Sequence, residues 1–187
     1  MTTTNAFAKQ IQNRNYLSPV GFKFTIARHP KVTFFCNSAR IPDISAPTLI
    51  QPTYLKDIDI PGTKLIYGDL VIKFLVDENL ENYMSIHNWL TGLGFPESAQ
   101  DFIDFIAPDT GVVDRNTDLV NAFSDGTLHI LNSSYNSTAT VKFKDLFPTS
   151  LTSLDFDATL GDIQYFTAEA TFKYTVYNIL GNDGSPL

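Results

Sequence analysis

The 187-residue sequence predicts a mainly β protein: an antiparallel β-barrel or sandwich with one packed α-helix, an extended N-terminal arm and a proline-rich loop. Three observations predict it. Apolar and polar residues alternate with period two in several stretches, which gives an extended chain one dry and one wet face. Phe and Tyr number 15 and 8, and such residues pack well on a pleated surface. One stretch, 78–90, repeats its apolar residues at helical spacing instead.

A chain of this length has room for one domain with a substantial core, so 1–187 is read as a single domain. Its net charge of -7 argues against a surface built to grip nucleic acid, since such affinity comes mainly from clustered Lys and Arg. A lone cysteine, Cys36, excludes an internal disulfide and fits a reducing compartment. The start lacks an apolar core of signal-peptide length, and no run approaches the roughly twenty apolar residues of a membrane span.

Residues 1–20 are polar and amide-rich without a sustained period, an arm that needs a neighbour to become ordered. From Gly21 to Arg28, Phe22, Phe24 and Ile26 alternate with Lys23, Thr25 and Ala27; His29-Pro30 then turns the chain, and Val32, Phe34 and Cys36 return. This predicts an antiparallel hairpin. The stretch 43–62 carries Pro47, Pro52 and Pro61, after Pro42, and each proline removes a ladder donor, so an extended excursion with one edge strand over Tyr54–Ile60 is expected. Its apolar residues, Ile44, Leu49, Ile50, Tyr54, Leu55, Ile58 and Ile60, need covering. They either fold back on their own core or dock on another subunit, and self-association is assigned to them.

Leu70 to Val76 reads as a strand covered on both faces. Asp77 is placed to cap a helix over Glu78–Leu90 with a stripe of Leu80, Tyr83, Met84, His87 and Leu90, broadened by Ile86 and Trp89; Gly92 is expected as its left-handed stop. Residues 97–125 hold seven acids against Arg115 alone and read as an acidic insertion. Thr127–Leu131 and Thr138–Phe143 form a hairpin about Asn132–Ser137. Phe147-Pro148 is expected to turn the chain, because proline fixes φ and restrains its predecessor. Gln164–Tyr177, with Phe166, Ala168, Ala170, Phe172, Tyr174 and Val176 on one face, reads as a long final strand, and 178–187 as a flexible tail.

Two of these stretches resemble a known family. The run Lys144-Asp-Leu-Phe-Pro-Thr-Ser-Leu-Thr-Ser-Leu-Asp-Phe-Asp-Ala158, leading into the long strand, is similar to the C-terminal signature of the tail tube proteins of contractile-tailed bacteriophages. The strand before Val76-Asp-Glu-Asn-Leu-Glu-Asn-Tyr83 and the aromatic helix reaching Trp89 also look like that family's main helix and its preceding strand. The resemblance implies a structural virion protein whose hexameric rings stack into an inner tube. It implies sheath, baseplate and tape-measure proteins as partners, and DNA passing through without sequence-specific contact. Assembly in the host cytoplasm, residence in the phage tail and a lumen of negative potential are expected. A tube-initiating baseplate ring shares the fold and stands as the alternative.

Chemistry is sparse. His29, His87 and His129 show no metal-ligand spacing, and Cys36 alternates with apolar residues as a small buried hydrophobe. Asp155 and Asp157 read as turn carboxylates rather than a calcium pair, and the acids of 97–125 lack a calcium-loop rhythm. No enzyme activity, cofactor, metal or membrane is expected. A small-molecule-binding β-barrel lined by aromatic faces, and a hydrolase with no visible catalytic pair, are the readings from other classes.

Overall fold

The computed structural model describes residues 17, 19–28, 35–94, 100, 103, 122–156 and 165–186. Its elements are β1 (Phe22–Ile26), β2 (Cys36–Ala39), β3 (Ile44–Ser45), β4 (Thr48–Gln51), β5 (Ile58–Pro61), β6 (Ile66–Tyr67), β7 (Leu70–Leu75), α1 (Glu81–Gly94), β8 (Ser124–Leu131), β9 (Ser137–Leu151), β10 (Thr167–Lys173) and β11 (Val176–Gly181). Seven strands form one antiparallel sheet in the order β1-β8-β9-β10-β7-β2, with β11 also on β9. Among the described residues the mainly β, antiparallel class is therefore observed, with α1 packed on the sheet.

The 15-residue β9 organises this sheet. Its first part lies between β8 and β11, and its second part pairs with β10. The change of neighbour coincides with Asp145 at φ 55, a left-handed conformation that aspartate tolerates better than most residues. Opposite it, the expected long strand to Tyr177 breaks at Tyr174-Thr175 into β10 and β11, with Thr175 N donating to the Lys144 carbonyl (3.0 Å). The expected flexible tail begins inside β11, and Leu180 is bridged to Pro186.

Phe147-Pro148 does not turn the chain. β9 runs through it, with Pro148 opposite Phe172 at a register shift. Among the described residues β9 has only β10 beside it there, so the missing N–H takes no bond from a second neighbour.

The hairpin expected from Gly21 to Cys36 is also corrected. β1 pairs with β8, Phe24 opposite Leu128, whereas β2 pairs with β7, Cys36 opposite Phe74. Alternation shows which face of a strand is buried but not which strand lies beside it; the turn expected at His29-Pro30 lies outside the described residues. The hairpin of β8 and β9 forms as expected, its tip closed by Asn132 Oδ1, which accepts from Ser134 N (2.9 Å) and Asn136 N (3.0 Å).

Alternate residues supply the core: Phe24 and Ile26, Leu70, Ile72 and Phe74, Val141 and Phe143, and Ala168, Ala170 and Phe172, joined by Ile86 and Trp89 of α1. On the outer side of β7 and β10, Lys73 Nζ lies 3.1 Å from Glu169, and Lys173 pairs with Asp69. The helix starts later than Asp77 implies. Leu80 takes φ 58 and donates N–H to the Asp77 carbonyl, closing a turn ahead of Glu81. Buried Asn82 ties the helix back: its Nδ2 donates to the Leu75 carbonyl (2.7 Å) and its Oδ1 accepts from Asp77 N (3.3 Å). The buried stripe is consequently Asn82, Ile86, Trp89 and Gly92, while Met84 and His87 face outward. Gly92 stays helical instead of ending α1, and its small size suits a buried position.

The expected arm lies outside the described residues except for Leu17, Pro19 and Val20, all exposed, and most of the acidic stretch 97–125 lies outside them too.

Candidate functional site

Between β2 and β7 the chain leaves the sheet and returns as two small ladders. At the base, β3 pairs with β6, Ile44 opposite Tyr67 and Ser45 opposite Ile66; beyond it, β4 pairs with β5, Thr48 opposite Pro61 through Gln51 opposite Ile58. Proline forces this economy, since Pro47, Pro52 and Pro61 flank or end short strands and no central strand can form. Where one edge strand over Tyr54–Ile60 was expected, there is a hairpin finger with Pro52–Asp57 as its tip. Thr53 Oγ1 donates to the Lys56 carbonyl across that tip. Gly62 N donates to the Pro47 carbonyl (2.7 Å), and a Cβ on Gly62 would stand 2.5 Å from the same oxygen, so only glycine fits that crossing.

A tyrosine clamp holds the base. Tyr67 packs edge-on against Tyr174 and Tyr177, with centroids 6.0 and 5.5 Å apart. The Tyr174 hydroxyl donates to the Gly68 carbonyl (2.9 Å), and the Tyr177 hydroxyl to the Pro42 carbonyl (3.3 Å). Burial first, then the neighbouring Tyr177, Tyr67, Asp43 and Asp69, push the Tyr174 phenol up from 10.0 to about 12. An acid whose folded pKa is raised contributes stability that is fully present below its unfolded value and is lost as pH rises through the folded one. Wild-type stability is therefore expected to fall as pH rises from 10 towards 12, and Tyr174→Phe to flatten that fall in thermal melts across the range. An equally steep fall in both proteins would contradict it.

The residues assigned to self-association all lie on this excursion and are all exposed. Leu49, Ile58 and Ile60 share one face of the finger by register, Ile50 occupies the other face beside Asp59, and Tyr54 and Leu55 crown the tip. Leu49 is 63% and Leu55 92% exposed, so neither folds back on the core. Ile44 lies in β3 at the base. Sequence reasoning missed Leu65 and Ile66, which extend the exposed apolar surface on the returning arm. Their signal was an apolar pair between Gly62 and Gly68 that does not alternate.

Elsewhere an apolar cleft of about 680 Å³ lies between the end of β7 and the run before β10, lined by Phe35, Leu80, Phe156, Tyr165 and Phe166. Asp77 and Glu78 are its acidic residues. Among the described residues no three His, Cys, Asp or Glu gather as a metal site. Burial pushes the Cys36 thiol up to about 11, so it is a poor nucleophile near neutrality. His129 Nδ1 lies 3.3 Å from Thr140 Oγ1, and His87 is exposed on α1. No helix among the described residues is long and apolar enough to cross a membrane.

Comparison with known proteins gives this arrangement a setting. A family model described as phage tail tube protein matches residues 2–180. The tail tube terminator protein of Enterobacteria phage T4 is 22% identical over 151 residues, spanning 79% of this chain and 77% of its own. In the tube-terminating cap of the anti-feeding prophage, one chain superposes with a TM-score of 0.63 at 17% identity, covering 95% of this chain and 99% of that one. A chain of the PVC sheath-tube complex, an extracellular contractile injection system, gives 0.56 at 20% identity, covering 97% and 99%.

Proposed function

The chain belongs to the phage tail tube protein family, and from that premise we propose that it forms hexameric rings that stack into the inner tube of a contractile tail. The observation that carries this reading is the finger of β4 and β5. A two-stranded hairpin is at best marginally stable alone in water, and this one exposes Leu49, Ile50, Tyr54, Leu55, Ile58 and Ile60. Such a surface suits a segment that is covered by an adjacent subunit. In this reading the sheath, baseplate and tape-measure proteins are its partners in the virion. DNA passes through the tube without sequence-specific contact, and assembly takes place in the host cytoplasm. The role is structural, with no reaction catalysed and no cofactor held.

A second reading, a ring that closes the end of the tube, is favoured by the T4 terminator relative and by the cap superposition. A baseplate ring that initiates the tube would share the same fold. Negative-stain electron microscopy of the purified protein, with its mass in solution, separates these roles. Long hollow tubes are expected of a shaft protein, discrete rings of a terminal one. A compact monomer at every concentration would overturn both.

A further inference from the structure

The outer face of the sheet formed by β1, β8, β9 and β11 runs against the acidic balance of the chain. Register places Lys142 beside Thr127 and Asn178, Lys144 beside Val176, and Lys23 beside His129. Their neighbours along each strand, Phe24, Leu128, Val141 and Phe143, point into the core, so the lysines share the opposite face. Among the described residues none of the three lysines has an ion-pair partner; Lys73 and Lys173, on the other half of the sheet, do. Asp125 and Asp145 stand at the bend that ends this face.

The finger carries the matching pattern. Asp59 lies in β5 and Asp57 just before it, both exposed and neither ion-paired among the described residues. Asp57 and Asp59 are spaced i, i+2, as are Lys142 and Lys144, and each interval is about 6.6–6.8 Å along an extended chain. The match has a second dimension. Asp59 has Ile50 directly across the finger, and Lys144 has Val176 directly across the sheet, each pair about 4.5–5.5 Å apart at Cβ. An acid next to an apolar side chain thus faces a base next to an apolar side chain.

We propose that the Asp57–Asp59 face of one copy's finger seats on the Lys142–Lys144 face of the next copy, with Ile50 against Val176. This rests on the ring reading above and specifies its contact. The finger and the sheet face are different surfaces, so the contact is heterologous, the type that generates rings or open stacks. The opposite finger face, with Leu49, Ile58 and Ile60, remains available for a second contact.

The test is a charge swap followed by sedimentation at low and high salt. D57K/D59K and K142D/K144D are each expected to weaken association about tenfold or more at low salt, because attraction becomes repulsion at both positions. The four substitutions together are expected to restore it. Unchanged assembly in either pair, or no recovery in the fourfold variant, overturns the contact. If a lysine variant melts below the wild type, D59C with K144C in a C36S background decides instead. An intersubunit disulfide ladder on oxidation supports the contact, and its absence from assembled protein overturns it. A wild type that never associates defeats the ring reading itself, whereas assembly that ignores both swaps defeats only this contact.

Discussion

Replacing Leu49, Ile58 and Ile60 together by serine is expected to abolish assembly while leaving a folded, soluble monomer. All three lie on one face of the finger, and none belongs to the core cluster. Their loss from the isolated subunit therefore removes little burial, and the melting temperature is expected to change only slightly, as for most surface substitutions. At a subunit contact the arithmetic differs. Burying each such side chain contributes about 1.5–3 kcal/mol, so losing three weakens one contact by about a thousandfold or more. Mass photometry gives the assembled fraction and a thermal melt the stability. Assembly at wild-type concentrations in the triple variant would place the contact elsewhere.

Trp89→Ala is expected to be the most damaging single substitution in the core. Trp89 is fully buried, packs beside Phe172 with centroids 6.1 Å apart, and donates its indole N–H to the Ala122 carbonyl (3.0 Å). Truncation leaves a large cavity and a buried carbonyl without its donor, together costing about 3–5 kcal/mol. For a domain of this size that is a fall of about 10 °C or more in Tm. Met84→Ala on the same helix, where Met84 is 42% exposed, is the control and is expected to change Tm little. Equal falls in the two variants would mean that α1 presents a different face to the sheet.

The helix shows how much could be read from the chain beforehand and what could not. Helical spacing located it, and of the expected stripe Ile86 and Trp89 are buried and Tyr83 and Leu90 pack against the core. Leu80, Met84 and His87 do not, because buried Asn82, which counts as polar in any periodicity argument, turns the inward face away from them. Asn82 faces inward because it bonds the Leu75 carbonyl and the Asp77 N–H, and tertiary placement decides that. The strands behaved similarly. Period-two alternation correctly placed Ala168, Ala170 and Phe172 on the dry face, and the hairpin of β8 and β9 was legible from two runs around a polar tip. Partners across long separations are not legible in a sequence, so the runs of β1 and β2 read as a hairpin although β1 pairs with β8 and β2 with β7. Pro148 misled because a proline reads as a turn unless the strand is known to lack a second neighbour at that point.

The candidate site was legible as composition and illegible as shape. Prolines excluded a central strand over 43–62, and the apolar residues between them called for a cover. What four-residue strands cannot show is that β4 pairs with β5, which puts Leu49, Ile58 and Ile60 on one face and Ile50 on the other. The tyrosine clamp was hidden for a different reason: Tyr67, Tyr174 and Tyr177 come from two distant parts of the chain. Net charge hid a local pattern as well, because Lys23, Lys142 and Lys144 share one outer sheet face in a chain of charge -7.

The measurement that tests the central claim most directly is a cryo-electron microscopy reconstruction of the assembled protein, read at the finger of β4 and β5. The account predicts a ring in which Leu49, Ile58 and Ile60 are buried against an adjacent subunit. A ring whose subunits meet elsewhere, with the finger still in solvent, would contradict it.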